Sequence, residues 1–138
     1  MHKKKILKKL TVEQLKIIHY KILENEGQDY LELPFGKESI LESIINSVEQ
    51  TFSGKELYPT ICDKAIKLLI EIDSAQLFPD GNKRVALVAF EMFLKMNKSN
   101  INNNITQKMK EKFILSIATH SISTKIAINC CIKALKTN

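Results

Sequence analysis

Residues 76–94 read QLFPDGNKRVALVAFEMFL, and this stretch decides the fold. Pro79 and Gly81 break the chain, and the residues after them are apolar on nearly every side of a helix. That pattern predicts a central helix from Asn82 to about Met96. Because the helix opens with DGNKR, its free backbone N–H groups and two cationic side chains would lie together at its positive end. The stretch therefore predicts a buried helix that begins at an anion-binding turn.

Amphipathic helices are predicted on both sides of this stretch, because apolar residues recur every three or four positions. Their expected bounds are Thr11 to Gly27, Lys37 to Phe52, Thr60 to Gln76, Thr106 to Thr119 and Ser121 to Lys136. The first helix has a capping-box spacing from Thr11 to Gln14. The apolar stripe of the third helix reaches Gln76, which is therefore expected to point into the core side of the turn.

Residues 28–36, QDYLELPFG, alternate apolar and polar side chains and contain Pro34 and Gly36. This composition predicts an extended loop or a small hairpin, and it is the only β element that the sequence offers. No repeat, linker or second domain is visible. The fold class is therefore predicted to be all-α, a compact bundle of about six helices in a single domain over residues 1–138.

Composition limits the classes of function. The chain has 138 residues and a net charge of +6, and no apolar run approaches the roughly 18 residues of a membrane span. Among the lysines only those of residues 3–9 cluster, so direct nucleic-acid binding is not expected. No apolar segment typical of a secretory signal follows the basic start. Three cysteines suggest no disulfide framework, which indicates a reducing cytoplasm.

Each residue of the turn has an expected role at a phosphate. Asp80 would hold Mg²⁺ between phosphate oxygens, since a carboxylate does not bind phosphate directly. Gly81 lets the backbone approach the anion, and Asn82 can orient a phosphate oxygen or the metal shell. Lys83 would supply a point charge and Arg84 a two-pronged donor.

Phe78 is expected to pack under the loop and fix its shape. An ordinary turn is the alternative, in which Asp80 or Asn82 caps the helix while Lys83 and Arg84 are solvated. The spacing of all these residues together favours the phosphate site.

The same nine residues, 76–84, resemble the Fic/Doc signature H-x-F-x-D-[GA]-N-[KG]-R at every position except the first. The resemblance also covers the leading helix with its LTVEQ start and the two helices that flank the motif. It implies a Fic/Doc-like bundle that binds ATP and Mg²⁺. In that comparison, residues 28–36 stand where the family has a flap that docks the target protein by main-chain pairing.

The residue type at position 83, here lysine, distinguishes two branches of the family. Adenylyl-transferring members typically have Gly at this position, whereas Doc toxins of the Phd/Doc toxin–antitoxin pairs have Lys. The resemblance thus implies a kinase that passes the ATP γ-phosphate to a hydroxyl of a translation factor such as EF-Tu. Adenylyl transfer is the alternative. The family's inhibitory pattern, [ST]-x-x-x-E-[GN], does not occur in this chain, which implies control by a separate Phd-like antitoxin.

Gln76 stands at the position of the family's catalytic histidine, the general base. A carboxamide can position a hydroxyl but has no proton affinity near neutral pH, and a general base typically contributes a factor of about 10² to 10⁴. The chain is therefore expected to be inactive or weak, either as a natural pseudoenzyme that binds an antitoxin or because Gln76 was introduced. His2, His19 and His120 are interpreted as surface or structural residues and are not assigned to catalysis.

Overall fold

A computed structural model describes residues 6–30 and 32–136. These residues form six α-helices, a short 3-10 turn and one β-hairpin. The helices are α1 (Val12–Asn25), α2 (Lys37–Asn46), α3 (Ile61–Ala75), α4 (Asn82–Met96), α5 (Gln107–Ala118) and α6 (Thr124–Ala134). The 3-10 turn spans Ser47–Glu49, and the strands are β1 (Thr51–Phe52) and β2 (Lys55–Glu56). The all-α prediction is confirmed.

Side-chain caps fix where the helices begin. Thr11 accepts a hydrogen bond from the Gln14 N–H at 3.1 Å, and the Gln14 side chain accepts from the Thr11 N–H at 2.9 Å. Thr60 begins α3 with the same reciprocal pair, made with Asp63. These boxes satisfy backbone donors that a helix start leaves without partners. The predicted start of α1 at Thr11 is confirmed.

Helices α3 and α4 pack side by side and form the centre of the core. Eight residues of α3 and seven of α4 are buried, so the two helices share the central position. Helix α4 begins at Asn82, as predicted. It is not buried on every side, because Val88 is 38% exposed. The fully enclosed large side chains include Leu68, Leu69, Ile72, Val85, Phe93 and Leu94.

The β element lies elsewhere than predicted. Helix α2 ends at Asn46, well before the expected Phe52, and strands β1 and β2 follow it as an antiparallel pair. Ser53 and Gly54 join the strands with φ angles of 51° and 79°, the left-handed conformation that suits a two-residue hairpin turn. Residues 28–30 and 32–36 contain no strand. The prediction that residues 28–36 hold the only β element is therefore wrong.

Asn97, which caps the end of α4, ties the N-terminal segment to the bundle. Its side chain accepts from the Lys8 N–H at 3.0 Å and donates to the Lys8 carbonyl at 2.9 Å. Near the other end of the chain, Leu135 forms an isolated β-bridge with Ile101.

Within residues 6–30 and 32–136, no helix combines the length and the apolar character that crossing a membrane requires.

Candidate functional site

The loop between α3 and α4 is held in one shape by Asn82. Its side chain accepts from the Phe78 N–H at 3.0 Å and donates to the Phe78 carbonyl at 2.8 Å. Phe78 is buried beneath the loop. Both ends of the Asn82 amide are thus engaged in closing the loop, so this side chain shapes the site from within.

His19 of α1 anchors the same loop from below. Its Nε2 lies 3.0 Å from the Asp80 carbonyl, and because a carbonyl only accepts, Nε2 must carry the proton. The ring is fully buried and lies with its centroid 4.5 Å from that of Phe78. Burial lowers the pKa of His19, and the bond to the Asp80 carbonyl opposes this in part. His19 therefore serves as a neutral structural residue, in line with its interpretation from the sequence.

Gln76 does not point into the core. Helix α3 ends at Ala75, and Gln76 adopts the left-handed conformation with φ 50° and is exposed. Its Nε2 donates to the Asp73 carbonyl at 2.5 Å, and its Oε1 accepts from the Asn82 side chain at 3.5 Å. The expectation failed because the left-handed turn redirects the chain where a continued helix would have carried Gln76 inward. The Gln76 amide caps its own helix.

The start of α4 offers backbone donors for an anion. The N–H groups of Asn82, Lys83 and Arg84 have no acceptor among the described residues. Gly81 precedes them with φ 83°, a conformation that glycine adopts without strain. The Asp80 carboxylate accepts from the Gly81 N–H at 2.8 Å through Oδ1. This end of the helix has the donors and the dipole that favour phosphate.

Lys83 lies at the edge of a polar cavity beside the loop. Its Nζ is 3.5 Å from Asp73 Oδ1, a distance that gives a loose ion pair and no hydrogen bond. The cavity has a volume of about 670 Å³ and is bounded by α3, the start of α4 and the turn between α5 and α6. Gln76 and His120 also line it. Sequence reasoning did not single out Asp73, although it precedes Gln76 by one helical turn.

Arg84 points away from this cavity. Its guanidinium pairs with the carboxylate of Glu26, the residue that caps the end of α1. In this conformation Lys83 lies near Asp73 and Arg84 pairs with Glu26, so different carboxylates hold the two side chains, although both line a second cavity. Glu26 was not identified from the sequence, because its contact depends on how α1 packs against α4.

Magnesium fits the site in one specific way. Among residues 6–30 and 32–136, no group of three or more His, Cys, Asp or Glu could hold a metal by itself. Mg²⁺ commonly takes one or two carboxylates and completes its octahedron with substrate phosphates and water. Asp80 is exposed, and its Oδ2 has no hydrogen-bond partner among the described residues. The free Oδ2 of Asp80, beside the unpaired N–H groups that begin α4 in the described part of the chain, is compatible with that mode of binding.

Comparison with known protein families places the loop inside a matched region. The family model described as the Fic/DOC family matches residues 9–94, which contain α1 to the last turns of α4 and the whole loop. No curated protein matches the chain. The chain belongs to the Fic/DOC family, whose members are protein-modifying transferases. Helices α5 and α6, which form one wall of the cavity, lie outside the matched residues.

Proposed function

We propose that this protein is a Doc-type kinase, which transfers the γ-phosphate of ATP to a hydroxyl of a protein target such as an EF-Tu-like translation factor. The observation that carries the proposal is the start of α4 after Gly81, where three backbone N–H groups have no acceptor among the described residues and Lys83 adds a cationic side chain. Lysine directly after Asn82 favours the kinase branch over adenylyl transfer. Control by an antitoxin in trans and a cytoplasmic location belong to the same proposal.

ATP binding uses the loop and the helix end together. The N–H groups of α4 and the Lys83 ammonium hold phosphate oxygens, and Asp80 holds Mg²⁺. When bound, the metal neutralises the charge that develops on the phosphate oxygens. Arg84 adds a two-pronged contact once it exchanges Glu26 for phosphate. Asn82 and His19 keep the loop in the shape that presents these groups.

The target protein docks on the hairpin. Main-chain pairing with an extended segment needs a strand edge, and in the described part of the chain only β1 and β2 offer one. Phe52 is 74% exposed and Leu57 is 51% exposed, so apolar side chains flank these edges. The docking function expected of residues 28–36 is accordingly assigned to residues 51–56. Tyr30 instead packs with its ring centroid 5.8 Å from that of His19.

The decisive experiment restores the missing base. Gln76→His is expected to raise phosphate transfer from γ-labelled ATP to purified EF-Tu by about 10² to 10⁴ over the chain as it stands. α-Labelled ATP is the matched control, because adenylyl transfer would label the target from it and phosphoryl transfer would not. Label from the α-phosphate alone would replace the kinase by an adenylyl transferase. No transfer from either nucleotide would favour a regulatory member that only binds its antitoxin.

A further inference from the structure

Asp73 is a buried polar residue beside the proposed site, and the proposal so far gives it no role. It lies on α3 one turn before Gln76 and is 8% exposed. Its Oδ1 is enclosed and has no hydrogen-bond partner among the described residues, and the residue lines the polar cavity together with Gln76 and Lys83. Burying a carboxylate oxygen without a partner is costly, and such groups in native proteins call for an explanation.

Gln76, at the position of the family's histidine, cannot accept the proton of a substrate hydroxyl. The Gln76 amide donates to the Asp73 carbonyl and has no basic atom. A carboxylate performs this task in protein kinases, where an aspartate accepts the proton of the substrate hydroxyl. Lys83 lies next to both Asp73 and the proposed phosphate-binding end of α4. Its ammonium is 3.5 Å from Asp73 Oδ1, and its backbone belongs to the first turn of α4.

We propose that Asp73 is a catalytic residue, the general base of the phosphate transfer in this chain. The inference rests on the proposed function and replaces the family's histidine by a carboxylate one helical turn earlier. The proton of the target hydroxyl passes to the Asp73 carboxylate through Oδ2, because Oδ1 is enclosed beside the Lys83 ammonium, and the hydroxyl oxygen forms a bond to the γ-phosphorus. The bond from that phosphorus to the oxygen bridging to the β-phosphate breaks, and its electron pair leaves with ADP. Water then takes the proton from Asp73.

His120 is the other side chain in the cavity with a basic atom. It sits in the turn between α5 and α6, is exposed and has φ 57°. It has neither the burial of Asp73 nor a contact with a residue of the motif among its hydrogen bonds and ion pairs. The observations therefore favour Asp73, and His120 becomes an arm of the test.

The test compares four proteins: the chain as it stands, Asp73→Asn, Gln76→His and the double variant. Transfer from γ-labelled ATP to EF-Tu is measured under saturating ATP, together with ATP binding and thermal unfolding. Asp73→Asn is expected to lower the residual transfer about 10²-fold, because the amide keeps the shape and loses the proton affinity. Gln76→His supplies its own base, so Asp73→Asn in that background is expected to lower transfer by a clearly smaller factor than Asp73→Asn does alone. Glu71→Gln, on the same helix outside the cavity, is the matched control.

Each other outcome overturns the inference. If the double variant loses as much transfer as Asp73→Asn alone, Asp73 has a structural role. If only Gln76→His is active, no base works in the chain as it stands. If Asp73→Asn changes nothing and His120→Asn removes the transfer, His120 is the base; Asn is chosen there because it tolerates the left-handed backbone. If none of the four proteins transfers phosphate, the proposed function itself is wrong, and the inactive Gln76→His variant identifies that case.

Discussion

Asn82→Ala should weaken both the fold and the site, and Asn97→Ala should weaken the fold alone. The two asparagines lie at opposite ends of α4 and make the same kind of contact. Asn82 holds the N–H and carbonyl of Phe78 at 3.0 and 2.8 Å, and Asn97 holds those of Lys8 at 3.0 and 2.9 Å. Each alanine therefore removes two side-chain bonds to one residue's main chain; Asn97→Ala also removes a bond to the Phe93 carbonyl at 2.8 Å, and Asn82→Ala removes a 3.5 Å contact with Gln76.

The magnitude follows from the groups that lose their partners. A buried donor or acceptor left unsatisfied costs about 1–3 kcal/mol, and we take about 1–2 kcal/mol because Asn82 is half-buried and water can reach it. Two such groups give a loss of about 2–4 kcal/mol in the free energy of unfolding. For a chain of this length that corresponds to a Tm lower by about 7–14 °C.

Urea unfolding and ATP–Mg²⁺ titration check the prediction on the same two samples. Both variants should lose similar stability, while ATP affinity should fall only in Asn82→Ala, because only that loop presents the N–H groups to phosphate. A loss below about 1 kcal/mol in Asn82→Ala would show that water replaces the amide fully. Equal loss of ATP affinity in both variants would refute the assignment of Asn82 to the shape of the site.

Two further predictions concern an ion pair and the thiols. Glu26→Gln should raise ATP affinity about 1.5- to 5-fold, because an exposed ion pair of this kind stabilises the bound position of Arg84 by about 0.2–1 kcal/mol. Glu24→Gln is the control, and an equal rise in ATP affinity there would show that the change in net charge alone explains the effect. In the folded protein, a disulfide-exchange reagent such as DTNB at pH 8 should modify Cys130 alone, because Cys130 is exposed and Cys62 and Cys131 are buried. The hydrogen bond that Cys131 donates to the Cys62 thiol, together with burial, also raises the pKa of Cys131. Unfolding in urea should expose all three thiols, and rapid modification of more than one thiol before unfolding would contradict the packing of α6 on α3.

Helix starts were legible in the sequence because they depend on local chemistry. Thr11 and Thr60 carry caps within three residues of their partners, and Pro79 with Gly81 marks the break before α4. The end of α2 was misjudged because Ser53–Gly54 fits both a helix stop and a hairpin turn. Two-residue strands are too short to show alternation, so only the pairing of Thr51 with Glu56 distinguishes these alternatives.

Part of the candidate site could also be predicted from local sequence. The run from Asp80 to Arg84 predicts an anion site from its residue types alone. The partners of those residues come from elsewhere in the fold: Glu26 reaches Arg84 from the end of α1, and Asp73 meets Lys83 across the loop. Contacts of this kind depend on how helices pack, which apolar periodicity does not specify. The orientation of Gln76 failed for a related reason, because its left-handed backbone is set by the loop that follows.

The bond from His19 to the Asp80 carbonyl joins residues that are 61 positions apart. Contacts over such separations form only after the intervening chain has closed, and closure carries an entropic cost that local helix formation does not have. During synthesis α1 leaves the ribosome first and lacks its partner until α4 has emerged and docked. The loop between α3 and α4 is therefore expected to acquire its shape in a late step of folding, and a nascent or truncated chain that contains residues 76–84 but lacks this docking should not present the proposed site.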